Sequence, residues 1–308
     1  MVDEGCSVTA LPLSYEWYQE QIAGHHLSIV KNGKHQIGLI KQVGSETLLK
    51  PIQEGVRGVC EVCLLFFESK IKLHILKNII TVAFYNKLKQ QNHENVTILK
   101  LKSFIPKFYG LKSIQIGKKK VECIILEDLT YCYKYPCIMD IKVGKVTYDP
   151  CATKAKRLSE IIKYPEQESL GFRLTGYRMR IDDNINNLRI RDKKWGKSRT
   201  LENIVEAFAE FLSARVEEKM IVAEETLRQL YDLQKWFRSQ RVFHFYASSI
   251  LLIYESSLER DSNVLVKLID FSHVFSANGV VDENYLFGLD NMVSIIEKYR
   301  DTIDSKSY

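Results

Sequence analysis

The segment Pro136 to Gly144, PCIMDIKVG, restricts the fold more than any other stretch of the chain. Cys137, Ile138 and Met139 help bury it, yet Asp140 and Lys142 stand in the same run. At a spacing of two, these charged residues share one face of a strand. Withdrawing both from water is expensive unless they meet each other or a ligand. Spacing alone leaves both outcomes open, a structural ion pair or a site. Gly144 closes the segment and permits backbone that a side chain would block.

A chain of 308 residues can bury one large core or two smaller lobes that share a cleft. With 45% hydrophobic and 27% charged residues, its composition is that of a globular protein rather than a disordered one. The net charge of +6 fits an anionic ligand, and equally a nucleic acid or an acidic membrane surface. The seven cysteines are odd in number and scattered. The first residues, MVDEGCSV, carry Asp3 and Glu4 where a secretory leader needs positive charge and then an apolar run. Reduced thiols and a cytoplasmic or nuclear location are therefore expected. No stretch approaches the ~18 apolar residues of a membrane span. The richest, residues 59–82, is broken by Glu61, Glu68, Lys70, Lys72 and Lys77.

Residues 36–41 and 46–50 read as strands joined by Val43-Gly44-Ser45, and 111–116 and 121–127 as a second pair joined at Gly117. Residues 59–92 look helical but irregular. Strands are predicted over 137–142 and 145–148, and a short basic helix over 152–163. A hairpin is expected from 177–181 and 188–190. Thr200 is placed as an N-cap, with Leu201, Ile204, Val205, Phe208, Phe211 and Leu212 at helical spacing behind it. A helix over about 223–238, strands over 244–255 and 263–271, and a helix over about 285–299 complete the pattern. The fold class is α+β, in two lobes with a hinge near 127–130. The lobes are expected to span 1–129 and 130–308.

Besides Asp140 and Lys142, three features could carry chemistry. Lys50 ends the strand ETLLK, where it could meet a nucleotide phosphate or simply lie on the surface. Asp270 in LIDFSH follows an apolar run, so it ends a buried strand and suits Mg²⁺, or else caps a helix. His273, three residues on, could donate to a phosphate or pack. Lys156, Glu160 and Lys163 fall near one face of the basic helix, either solvated or ready to capture phosphates.

Other signals are weak. Gly196-Lys197-Ser198 ends like a P-loop, but Arg191 stands where the first glycine belongs. Cys60 and Cys63 have no second ligand pair at zinc-site spacing and read as packing. Basic residues recur from Arg178 to Arg199, but Asp182, Asp183 and Asp192 interrupt them, so nucleic-acid binding is not expected.

In order and spacing, Pro136-x-x-x-Asp140-x-Lys142-x-Gly144, Ser248-Ser249-Ile250-Leu251-Leu252 and Ile269-Asp270-Phe271-Ser272-His273 resemble the motifs of the inositol polyphosphate kinases. The likeness runs from Ala23-Gly24-His25 to Gly288-Leu289. Tyr148-Asp149-Pro150, Lys163-Tyr164-Pro165 and Gly171-Phe172 resemble the multikinase branch in particular. The resemblance implies a two-lobed fold distantly related to protein kinases, with ATP between the lobes. It implies that Lys50 holds nucleotide phosphates, the Glu127 and Leu129 backbones pair with adenine, Asp140 takes the ribose, and Asp270 holds Mg²⁺. Lys142, with Asp270 the catalytic pair, would contact substrate and the transferred phosphate. Arg57, Lys156, Lys163 and His273 would grip the inositol phosphate, within a substrate segment over about 150–176.

By the same resemblance, the substrates are inositol polyphosphates, with phosphoinositide headgroups allowed, and the molecule is a monomer. No general base stands out. The hexakisphosphate kinases and trisphosphate 3-kinases of the family share the Asp-x-Lys-x-Gly core and remain alternatives, as does a binding member without turnover. One departure matters. Glu61 sits at the family's distance from Arg57 to pair with Lys50, but Phe84-Tyr85 arrives only after an apparent insertion over about 59–82.

Overall fold

The computed structural model describes residues 10–22, 30–31, 34–35, 37–52, 76–90, 95–181 and 187–305. Its frame is two five-stranded sheets, each antiparallel throughout. The first contains β1 (Tyr15–Trp17), while β2 (Val30–Lys31) and β3 (Lys34–His35) pair only with each other. With β4 (Ile40–Gln42), β5 (Thr47–Pro51), β6 (Phe108–Ile116) and β7 (Lys119–Glu127), the order is β1-β4-β5-β7-β6. The turn over 43–46 puts Ile40 opposite Leu49, and Gly44 takes a left-handed φ of 73° there.

Between β5 and β6 run α1 (Leu76–Gln90) and α2 (Val96–Phe104). Asn95 caps α2 by accepting from Ile98 N. Both helices bury their apolar residues in the large core of the second half, through Phe84, Tyr85, Leu88, Ile98 and Leu101. Phe84 packs on Phe271 with ring centroids 4.6 Å apart, and Tyr85 stacks on Phe108 at 5.0 Å.

The second half begins with β8 (Pro136–Val143), followed by α3 (Lys154–Lys163), α4 (Gln167–Leu170), β9 (Phe172–Arg180) and β10 (Leu188–Arg191). Next come α5 (Lys193–Lys197), α6 (Ile204–Leu212), α7 (Lys219–Ser239) and β11 (Phe243–Phe245). β12 (Ser249–Glu255), β13 (Leu265–Ile269), β14 (Val274–Ser276) and α8 (Glu283–Asp304) complete the chain. The sheet order is β10-β9-β8-β12-β13, and β11 pairs with β14.

Strand alternation sorts this sheet into two unlike faces. Met139, Ile141 and Val143 of β8, Phe172 and Leu174 of β9, and Ile250 and Leu252 of β12 point into the helical core with Phe208, Leu230 and Leu289. The opposite face carries Ile138, Asp140 and Lys142. Cross-strand register sets Arg173 beside Lys142, Arg178 beside Ile138, and Leu251 beside Asp140. Residues 128–135 join the two sheets, and Asp128 stiffens this link by accepting from Thr130 N, Thr130 Oγ1 and Lys41 Nζ.

The structure corrects several local expectations. Residues 145–148 are not a strand. Gly144, at φ 122°, ends β8, and Lys145 N and Val146 N then donate to Asn284 rather than to a ladder. A side chain at Gly144 would lie 2.7 Å from Asn284 Nδ2, which accounts for the glycine. The run 244–255 is two strands, because Ala247 turns the backbone left-handed at φ 52° between them. Thr200 does not cap α6; Asn203 holds the N-cap position, and its side chain accepts from Thr200 N instead. The thiols are not uniformly reduced. Cys123, Cys132 and Cys137 are free, but Cys151 is disulfide-bonded. Number and scatter in sequence say nothing about which sulfurs meet in space. Arg57, Glu61, Cys60, Cys63 and most of the apparent insertion lie outside the described residues.

Candidate active site

A cavity of about 370 Å³ opens between the two sheets. Leu48 and Lys50 of β5, Ile124 and Leu126 of β7, and Ile138 and Asp140 of β8 line it, together with Leu251, Ile269 and Asp270. Aliphatic side chains among a few charged ones, Lys50, Asp140 and Asp270, are the make-up of a small-molecule site. Glu127 and Leu129 edge it where the sheets join. Glu127 N donates to Lys107 O.

Lys50 and Asp270 come from strands on opposite sides of this cavity and form a salt bridge across it. Their side chains are 36% and 37% exposed, so the pair contributes only ~0–1 kcal/mol to stability. Asp270 is held at φ 68°, a conformation that non-glycine residues seldom adopt and that recurs at functional sites.

Asp140 and Lys142 do share a face, but they do not neutralise each other. Lys142 Nζ donates to Ala247 O at 2.6 Å, and the left-handed turn at Ala247 adjoins Ser248 and Ser249 at the start of β12. Asp140 Oδ1 is buried without a hydrogen-bond partner. A buried carboxylate oxygen left so is costly in a folded protein and marks a place for a donor. Burial pushes the Asp140 carboxyl up, and nearby Asp270 adds to this, while the Lys142 ammonium opposes it. Burial draws the Lys142 ammonium down, against the pull of Asp270 and Asp140.

Beyond Lys142 the charged face continues. Glu160 of α3 is buried, and it gathers Lys156, Lys163 at 2.7 Å, and Arg173 at 3.9 Å. Burial alone would raise its carboxyl, but hydrogen bonds from Lys156 and Lys163 outweigh this and hold it down at about 2. His273 Nδ1 lies 2.8 Å from Asp149 Oδ2. Sequence reading singled out Lys156, Lys163 and His273, named Asp149 only within the Tyr148-Asp149-Pro150 motif and without a role, and passed over Arg173. Arg173 is the larger omission. Only pairing with β8 places the arginine beside Lys142, and the register shift after Leu174 hides any face in the sequence, since it turns Tyr177 into the core.

Among the described residues no group of three or more His, Cys, Asp or Glu side chains could cage a metal. A single carboxylate at Asp270 suits Mg²⁺, which binds one or two carboxylates and takes its other ligands from phosphates and water.

A family model described as inositol polyphosphate kinase matches residues 123–297, from β7 to the last helix. The chain belongs to the inositol polyphosphate kinase family. Within that family it is 28% identical over 247 residues to the human inositol polyphosphate multikinase, covering 80% of this chain and 51% of that one. It is 27% identical over 312 residues to the beta multikinase of Arabidopsis thaliana, covering 93% and 94%. The chain spans between half and two thirds of the length of the curated mammalian relatives it matches. Among solved structures, the multikinase Ipk2 of S. cerevisiae, in complex with ADP and Mn²⁺, superposes with a TM-score of 0.62 at 22% identity. That match covers 83% of this chain and 99% of that one. A second inositol phosphate multikinase structure gives 0.60 at 26% identity, covering 71% and 99%. The fold is therefore the family's two-lobed, kinase-like one.

Proposed function

We propose that the chain transfers the γ-phosphoryl group of ATP to ring hydroxyls of inositol polyphosphates, taking a trisphosphate to tetrakis- and pentakisphosphate. The observation that carries this reading is the convergence of Asp140, Lys142, Lys50 and Asp270 where an aliphatic slot meets a basic pocket. Family membership supports it, and so do relatives named multikinases.

In this reading the adenine lies between Leu48, Leu126, Leu251 and Ile269, with its amine on the Glu127 carbonyl and a ring nitrogen at the Leu129 amide. Asp140 Oδ1 accepts a ribose hydroxyl and so gains its missing partner. Lys50 turns from Asp270 to the nucleotide phosphates, and Asp270 is released to hold Mg²⁺. Bound there, Mg²⁺ would neutralise charge on the phosphate oxygens. Lys142 faces the transferred group. Lys156, Lys163 and His273 hold the other phosphates, and Arg57 and Glu61 keep the roles that the resemblance implies. The acceptor oxygen bonds to the γ-phosphorus, the bond to the bridging oxygen breaks, the hydroxyl proton leaves, and ADP departs. Such transfer depends on positioning and charge neutralisation more than on covalent chemistry. A monomer in the cytoplasm or nucleus is the proposed setting.

Purified protein incubated with Mg-ATP and inositol trisphosphate should yield tetrakis- and pentakisphosphate, separable by anion-exchange chromatography. Absence of turnover at micromolar enzyme would sink the proposal. Full activity in Lys142→Ala would remove that lysine from the mechanism.

A further inference from the structure

Helix α3 is built the opposite way from an ordinary surface helix. At 100° per residue, Lys156, Glu160 and Lys163 lie along one side. That side faces the protein, since Glu160 is the buried residue of the helix. Leu158, Ile161 and Ile162 fall on the other side, and they are 58%, 50% and 67% exposed. Other exposed apolar residues, such as Val43, Ile190 and Leu258, stand singly, and Val96 and Leu99 make only a pair on their helix. Three within five residues on one helical face make a patch, and a patch marks an interaction surface.

The helix buries no apolar side chain of its own and is held by polar attachments and by Arg157 over the Tyr148 ring. Thr153 caps it by accepting from Lys156 N. Arg157 donates to Ala152 O and Pro150 O, and Thr147 donates to Glu160. The outward apolar face is thus presented on a firmly anchored element and plays no part in holding it. Around this face the charge has one sign. Lys156 and Lys163 lie on the inward side with Glu160, the only acid of the helix, which is buried and paired, so the charges beside the apolar residues are the cations Lys154 and Arg157. The next acids in sequence, Glu166 and Glu168, follow Pro165 beyond the helix end.

We infer that the outward face of α3 docks on an anionic membrane surface, with Leu158, Ile161 and Ile162 entering the headgroup boundary and the flanking cations meeting lipid phosphates. Apolar side chains bordered by Lys and Arg are what an interfacial helix requires. Long basic side chains at the edges keep their charged ends in the headgroup layer. A protein partner or a second copy would match the apolar residues but gives no reason for Lys154 and Arg157 beside them, with no acid of the helix on that side. The association is peripheral, since no helix among the described residues is long and apolar enough to cross a membrane. This inference does not depend on the proposed reaction, and its test reads membrane binding rather than turnover.

The full chain would be sedimented with phosphatidylcholine vesicles and with vesicles containing about one third phosphatidylserine. It should bind the anionic vesicles only, and less as salt is raised. Ile162→Glu should weaken binding by at least ~10-fold, and Leu158→Ser in the same direction, because each removes apolar insertion. Neither residue belongs to the proposed site, so phosphorylation of a soluble inositol phosphate and the circular dichroism spectrum should match wild type. No binding to anionic vesicles, or binding unchanged in both variants, overturns the inference. So does a wild-type dimer in light scattering that Ile162→Glu turns into a monomer, which would assign the face to a second copy.

Discussion

The Asp149 carboxylate and the His273 ring join the loop that leads into α3 to the loop that follows Asp270, through an Oδ2 to Nδ1 contact of 2.8 Å. A carboxylate can only accept, so the ring proton sits on Nδ1 and Nε2 is the nitrogen left for a ligand. Asp149 is itself buried and spends its other oxygen on Cys151 N. The aspartate therefore sets both the position and the tautomer of the histidine.

Asp149→Ala should raise KM for the inositol phosphate by roughly 10-fold or more, the scale of a lost charge-assisted hydrogen bond, with a smaller change in kcat. The ¹⁵N shifts of His273 should move away from the Nδ1-protonated tautomer. An unchanged ring spectrum would show that the contact does not position it.

Asp270→Asn should leave the melting temperature within about 2 °C of wild type, because the bridge to Lys50 is half exposed and worth little. Turnover should fall by at least ~100-fold through loss of a charged group at the reacting phosphate. Calorimetry of Mg-ATP binding alongside a thermal melt separates the two effects. A large loss of stability would make the pair structural.

Glu160 should shape the acid limb of the stability curve. Its folded carboxyl is held at about 2, below the ordinary 4.5. A depressed value means that the ionised group stabilises the fold above the ordinary value, and that this contribution is lost as pH falls toward about 2. The melting temperature of Glu160→Gln should thus lie below wild type near pH 6, and the gap should close between pH ~4.5 and pH ~2. A gap independent of pH in that window would contradict the assignment.

Gly288 of α8 packs directly on Gly171, where β9 is about to begin. A methyl group at 288 would overlap the Gly171 carbonyl and approach Val143 Cγ1 at 3.1 Å. Because the first clash is with backbone, Gly288→Ala should cost about 3 kcal/mol or prevent folding. Gly44→Ala meets nothing within 4 Å and carries only the left-handed strain, about 1 kcal/mol. Chemical denaturation of both variants checks the order.

Much of this could be read from residue order because strands announce themselves locally. The two-residue period of β8 put Asp140 and Lys142 on one face before any fold was known, and the apolar run ahead of Asp270 marked its strand. The break at Ala247 escaped notice because the residues on either side are good strand formers and alanine carries no turn signal. Residues 145–148 were misleading for the converse reason. Their pattern suits a strand, but Asn284, far along the chain, captures their amides.

The sequence by itself determined which residues are charged within apolar runs, and hence that Asp140, Lys142 and Asp270 needed partners or a ligand. Local periodicity carries that information, since burial and charge conflict within a few residues. Only the tertiary structure decided that Lys50 reaches Asp270, that Arg173 lies beside Lys142, and that α3 turns Glu160 inward and its leucine and isoleucines outward. Those relations depend on sheet register and on which side of a helix meets the protein. Both are set by packing among segments up to 220 residues apart.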